Sequence, residues 1–227
     1  MIWPTIGLVL VAGILLTLYF VRARTASRAR FIDSYRFPKG LDQKLMRRHP
    51  GLGAEQTALV YRGLRQYFRV CLDARNRLAA MPSQVVDDLW HEFILYTRNY
   101  QSFCNKAFGR FLHHTPAQAM GARSDPNAGI RRTWWLSCRQ EGIDPRKPAK
   151  LPLIFAIDGL LNIENGFRYI PDCRQFAGAG SGSTPYCGSD LGHGSCSGGC
   201  GGSTGDGIGD GGGDGSGCSG GGCGGGD

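Results

Sequence analysis

Residues 175–227 contain no lysine and no arginine, yet they hold five aspartates: Asp190, Asp206, Asp210, Asp214 and Asp227. The net charge of +8 is therefore carried, with a surplus, by residues 1–174. A basic body with an acidic tail suits a surface that faces an anionic membrane. The same charge could serve nucleic acid, but no nucleic-acid-binding motif accompanies it, which makes that partner an unfavoured one.

Residues 2–21, "IWPTIGLVLVAGILLTLYFV", carry no charge at all. Twenty residues at about 1.5 Å each reach about 30 Å, the thickness of a bilayer core. Trp3 stands at one end and Tyr19 and Phe20 at the other, as interfacial aromatics do. Arg22, Arg24, Arg28 and Arg30 follow at once. A cleaved signal peptide needs basic residues before the apolar run and small ones after it. Here the order is reversed, so a single-pass anchor is preferred. The arginines place its N-terminus outside and the rest of the chain in the cytoplasm. In that compartment the nine cysteines are expected as thiols or metal ligands rather than as a disulfide framework.

Several catalytic signatures are also missing. His91-Glu92 begins like a zinc-protease HExxH, but Leu95 stands where the second histidine belongs. No serine elbow occurs, and "GLGAEQ" lacks the third glycine of a dinucleotide loop and follows no strand. The tail glycines precede no GK[ST], so they form no nucleotide-phosphate loop.

What is present reads as mainly α. Residues 22–50 are expected as a basic juxtamembrane connector with one short helix, ended by His49-Pro50-Gly51, where an imidazolium would suit the helix dipole. Val60, Leu64, Tyr67, Phe68, Cys71, Leu72 and Arg75 follow the three-and-four spacing of an amphipathic helix. Met81-Pro82-Ser83 closes that helix and offers Ser83 as the next N-cap. The following helix is expected over about 84–104, with Val86, Leu89, Trp90, Phe93, Thr97, Tyr100 and Cys104 on one stripe. At about 100° per residue, His91 falls off that stripe, next to Asp87 and Asp88. Asp125-Pro126 opens a fourth helix, which ends at Gly142 with Ile130, Trp134 and Cys138 on one face. "LIFAIDGLLNIENGFRYIPDC" is read either as a short C-terminal hairpin or as loops packed on the helices. The parts are thus an anchor (1–21), a connector (22–50), a helical domain (51–176) and a disordered Gly/Cys/Asp-rich tail (177–227). The tail offers too little apolar surface to offset the entropy of ordering.

Two clusters carry metal-ligand chemistry. His91 with Asp87 or Asp88, and His113 or His114 brought back by the turn near Gly109, could hold Zn²⁺ or another divalent ion with an open position. The competing reading is a polar network in which Asp87 orients His91 while His113 and His114 cap a helix end. In the tail, Cys187, His193, Cys196 and Cys200 lie close together and could wrap a metal, although no CxxC pair is present. A Cys104–histidine nucleophile is disfavoured because Cys104 lies on the apolar stripe.

"VVDDLWHEFILYTRNYQSFCNKAFGRFLHHTP" followed by "LPLIFAIDGLLNIENGFRYIPDC" resembles the glycine-rich domain-containing protein-like family over about residues 50–175. Asp87, Trp90 and His91, with Tyr100, Phe103 and Cys104, carry the likeness. It supports the limits of the helical domain and implies no activity. The expected function is a non-enzymatic membrane protein whose cytosolic helical domain binds a protein partner. The alternative is a metal-dependent enzyme or metal-handling protein that uses His91, Asp87 or Asp88, and His113 or His114.

Overall fold

The computed structural model describes residues 2–114, 127–172 and 186–193. Helix α1 spans Ile2–Ser34 and is long and apolar enough to cross a membrane, a property that signal sequences share. Its apolar side chains from Val9 to Val21 stand exposed. Its far end behaves differently. Ile32 is fully buried in the core, and the rings of Phe31 and Tyr35 lie 5.8 and 4.7 Å from Phe103. The expected connector is therefore part of the folded domain, and α1 enters the core without a break. Helix α2, Leu41–Arg48, adds Leu41 and Leu45 to the same core. Within α1, Arg22, Arg24 and Arg30 are exposed, while Arg28 lies half-buried against the Gly109 turn.

Helix α3, Ala54–Ala74, is the central element and packs against α1, α2, α4, α6 and α7. Its predicted stripe is buried from Val60 to Leu72. Arg75, expected as the next member, instead ends the helix with φ 58° and is exposed. At Gly63 the helices close on one another: a Cβ there would lie 2.9 Å from a Val86 methyl and 3.3 Å from Ile157.

The helix expected over 84–104 is two helices, α4 (Gln84–Ile94) and α5 (Thr97–Ala107). Tyr96 breaks the ladder with ψ 61°, held by its hydroxyl on the Lys39 carbonyl and by the Lys44 ammonium 4.9 Å from its ring. The bend leaves Thr97 exposed and turns Tyr100, Phe103, Cys104 and Ala107 into the core.

Helix α6, Ala128–Glu141, ends at Gly142 as expected, with Trp134 and Cys138 fully buried. Asp125-Pro126 lies outside the described residues. No hairpin follows among the described residues. Leu153–Leu160 forms helix α7, and the two-residue strand β1, Tyr169–Ile170, pairs in parallel with β2, Tyr186–Cys187. Helix α8, Gly188–His193, then packs on α6. Residues 186–193 were expected in the disordered tail but are tied down here by the β1–β2 pairing and by the Ser189 N–H on the Pro171 carbonyl, and two glycines make room for them. A Cβ at Gly188 would strike the Trp134 ring, and one at Gly192 would strike the Pro145 carbonyl. Here glycine permits close backbone packing rather than looseness.

Candidate metal centre

The site begins with how α4 starts. Ser83 accepts a hydrogen bond from the Val86 N–H at 3.2 Å, as an N-cap should. Its hydroxyl donates to Asp158 Oδ1 at 2.7 Å. The Asp158 carboxylate, 1% exposed, also accepts the N–H groups of Gln84 (2.7 Å), Val85 (3.2 Å) and Phe167 (2.9 Å). A carboxylate at a helix N-terminus satisfies otherwise unpaired donors and complements the dipole. Asp158 thus clamps α4 to α7 one turn before Asp87. Sequence reasoning missed it. The only signal was a single carboxylate inside the apolar run "LIFAIDGLL".

Asp87 and His91 face outward from α4. His91 Nδ1 lies 2.9 Å from the Asp87 carbonyl oxygen and 3.4 Å from Asp87 Oδ2. His114 Nε2 lies 2.9 Å from Asp87 Oδ1, and its ring sits 4.2 Å from the His91 ring and 4.6 Å from that of Trp90. One ligand atom from each of Asp87, His91 and His114 falls within 4.8 Å of the other two. Donors about 2.1 Å from a common ion are about 3.0–3.4 Å apart, so a contraction of roughly an ångström, within side-chain rotation, would seat one ion. With Nδ1–H of His91 donated to the Asp87 carbonyl, its Nε2 carries the lone pair, the arrangement found in metal-ligating histidines.

His114 is held in place through its neighbours. Tyr100 donates to the Leu112 carbonyl at 2.6 Å, and Trp90 Nε1–H donates to Tyr100 Oη at 3.1 Å. The turn at Gly109, with φ 72°, sends the chain back across α4. A side chain there would meet the Arg28 guanidinium as well as the unfavourable φ.

The other sequence candidates separate from this group. Asp88, 4% exposed, points to a different side of α4. It accepts from His49 Nε2 at 2.9 Å and Gln84 Nε2 at 3.2 Å, with Arg48 Nε 3.4 Å away. His49 is therefore a carboxylate partner, not merely a helix-end charge. His113 is exposed, with its ring 4.8 Å from Phe111. Cys104 is fully buried and burial raises its thiol, which leaves little thiolate for nucleophilic chemistry. In the tail set, Cys187 is disulfide-bonded, so it is neither the reduced thiol nor the metal ligand expected. His193 ends α8, and Cys196 and Cys200 lie outside the described residues.

Asp87, His91 and His114 form part of the wall of a cavity of about 540 Å³. Leu78, Met81, Trp90 and Phe167 supply apolar lining, and Arg77 and Arg110 supply charge. Small-molecule sites span about 300–1,000 Å³ and combine apolar walls with a few convergent polar groups. Two imidazoles and a carboxylate leave coordination positions open, so an ion there could polarise a bound group or activate water.

No curated protein and no solved structure matches the chain. A family model does, over residues 27–191, which takes in the domain-facing end of α1 and every later described element almost to the end of α8. On that match the chain belongs to the UCP032817-like family.

Proposed function

We propose that this is a membrane-anchored helical domain that holds one divalent metal ion, Zn²⁺ or Fe²⁺ by its donor set, at Asp87, His91 and His114, with open coordination facing the cavity. The observation that carries the reading is the convergence of three donors from α4 and the 112–114 segment at the wall of a 540 Å³ cavity. Cobalt(II) titration of the detergent-solubilised chain tests it. A saturable ligand-field spectrum at one ion per chain, absent from His91→Ala, supports the centre. An absorbance unchanged up to a large excess of cobalt overturns it.

The anchor reading rests on α1, whose apolar side chains have no cover among the described residues. A cytoplasmic body rests on Arg22, Arg24, Arg28 and Arg30. The Cys187 disulfide argues for an oxidising compartment. The cytoplasmic reading is kept on the arginine signal, and the redox state of Cys187 in cells tests it. The partner-binding, non-enzymatic reading is supported only by single exposed side chains such as Leu95, Trp135 and Leu160, which are ordinary on any protein surface. The likeness to glycine-rich domain-containing proteins fits the metal reading and the partner reading equally.

A further inference from the structure

We infer that the cavity beside Asp87, His91 and His114 binds a small organic phosphate, its phosphoryl oxygens shared between the metal ion and the guanidinium groups of Arg77 and Arg110. The inference rests on the metal reading for one of its two anchors.

Charge is the first ground. Arg77 and Arg110 line the cavity with Asp87 as its one carboxylate, and an ion at the site would raise the positive surplus. Among the described residues, no carboxylate makes an ion pair with Arg77, Arg110 or Arg132. Crowding adds to this. Arg132 donates to the carbonyl of Leu78, a lining residue, and its pKa is lowered first by desolvation and then by the Arg77 charge. Like charges gathered without a counterion are costly, and an arriving anion relieves that cost.

Placement is the second ground. Arg75 adopts φ 58°, a conformation that costs a non-glycine residue on the order of 1 kcal/mol and that persists where the surroundings impose it. Its carbonyl accepts from Arg110 Nη2 at 2.5 Å. One corner of the guanidinium is thus fixed to backbone, and its other N–H groups have no partner among the described residues. Planar guanidinium groups fit phosphoryl oxygens in two-point contacts. A dianion offsets two arginines and an ion better than a carboxylate does. Leu78, Met81, Trp90 and Phe167 provide an apolar bed for the organic part.

The test is isothermal titration calorimetry on the full chain in detergent, with and without bound Zn²⁺, using phenyl phosphate, benzoate and inorganic phosphate as probes. Arg77→Gln, Arg110→Gln and His91→Ala are compared, with thermal unfolding as the check on folding and mass spectrometry for metal content. Among the described residues the Arg77 side chain makes no hydrogen bond or ion pair, so Arg77→Gln serves even if Arg110→Gln disturbs the turn. The inference predicts saturable phenyl phosphate binding, weakened roughly tenfold by Arg77→Gln at unchanged metal content, and weaker binding of benzoate and of inorganic phosphate. Metal bound at one ion per chain with phenyl phosphate binding absent, insensitive to the arginines or no tighter than benzoate overturns this inference and leaves the metal reading standing. Arginine-dependent binding to a chain that takes up no metal removes the metal reading and keeps only the arginine half of this one.

Discussion

The Tyr100 hydroxyl bridges Trp90 and Leu112: it accepts the indole N–H at 3.1 Å and donates to the Leu112 carbonyl at 2.6 Å. This ties the segment that carries His114 to the helix that carries Asp87 and His91. Tyr100→Phe keeps the ring but leaves a buried indole N–H and a carbonyl without their partner, which should lower stability by about 1–3 kcal/mol. It should also weaken metal affinity, since His114 loses its tether. Chemical denaturation and competitive metal titration measure the two effects. A variant that unfolds earlier but binds metal as the parent does would show that the bridge serves the core alone.

Asp158 collects four hydrogen bonds, three from the start of α4 and one from the Phe167 N–H. Asp158→Ala should cost about 3 kcal/mol or more, because the Ser83 hydroxyl and three backbone N–H groups lose a charged acceptor away from water. Hydrogen exchange at Gln84 and Val85 should accelerate ahead of exchange elsewhere in α4. Unchanged protection there would refute the clamp.

Burial pushes the Cys71 thiol up from its ordinary 9.0 to about 12, and Cys138 moves in the same direction. Between these values the unfolded chain releases a proton that the folded chain keeps, so stability falls as pH rises. Below pH 9 the effect vanishes. For Cys71 the slope is about 1.4 kcal/mol per pH unit. Denaturation midpoints should hold between pH 8 and 9 and decline from pH 9 to 11, and Cys71→Ala should flatten the decline whatever its own cost.

The Cys187 disulfide and a cytoplasmic body make opposite demands on the surrounding thiol pool, and the state of Cys187 in living cells decides between them: a cytoplasmic body requires it reduced. Alkylation of intact cells with a permeant maleimide, followed by mass spectrometry, should label Cys187. Blocked Cys187 in cells handled under acid quench would place the body on an oxidising side and reverse the proposed orientation.

Much of the helical frame was legible because it repeats. The α3 stripe, the buried Trp90 and the Gly142 stop follow from spacing and from one residue's conformational preference. So does the pairing of Asp87 with His91, four residues apart on one face. Other features depend on contacts that spacing does not encode. The break at Tyr96 has no glycine or proline to mark it, and the contacts that accompany it, with Lys39 and Lys44, are long-range ones. Asp87 and Asp88 are neighbours in sequence but diverge by about 100° around the helix, so one meets His114 and the other His49. Asp158 reads as an interruption in an apolar run until α7 is laid against α4. The glycines at 188 and 192 share their composition with a disordered tail, and only Trp134 and Pro145 show why they are glycine.

The most direct measurement is metal content by mass spectrometry on the full chain, purified anaerobically in detergent with reductant, beside His91→Ala and His114→Ala. The account predicts about one divalent ion per chain in the parent and a large loss in each variant, with the fold retained. A parent chain without stoichiometric metal, or metal that survives both substitutions, would contradict it.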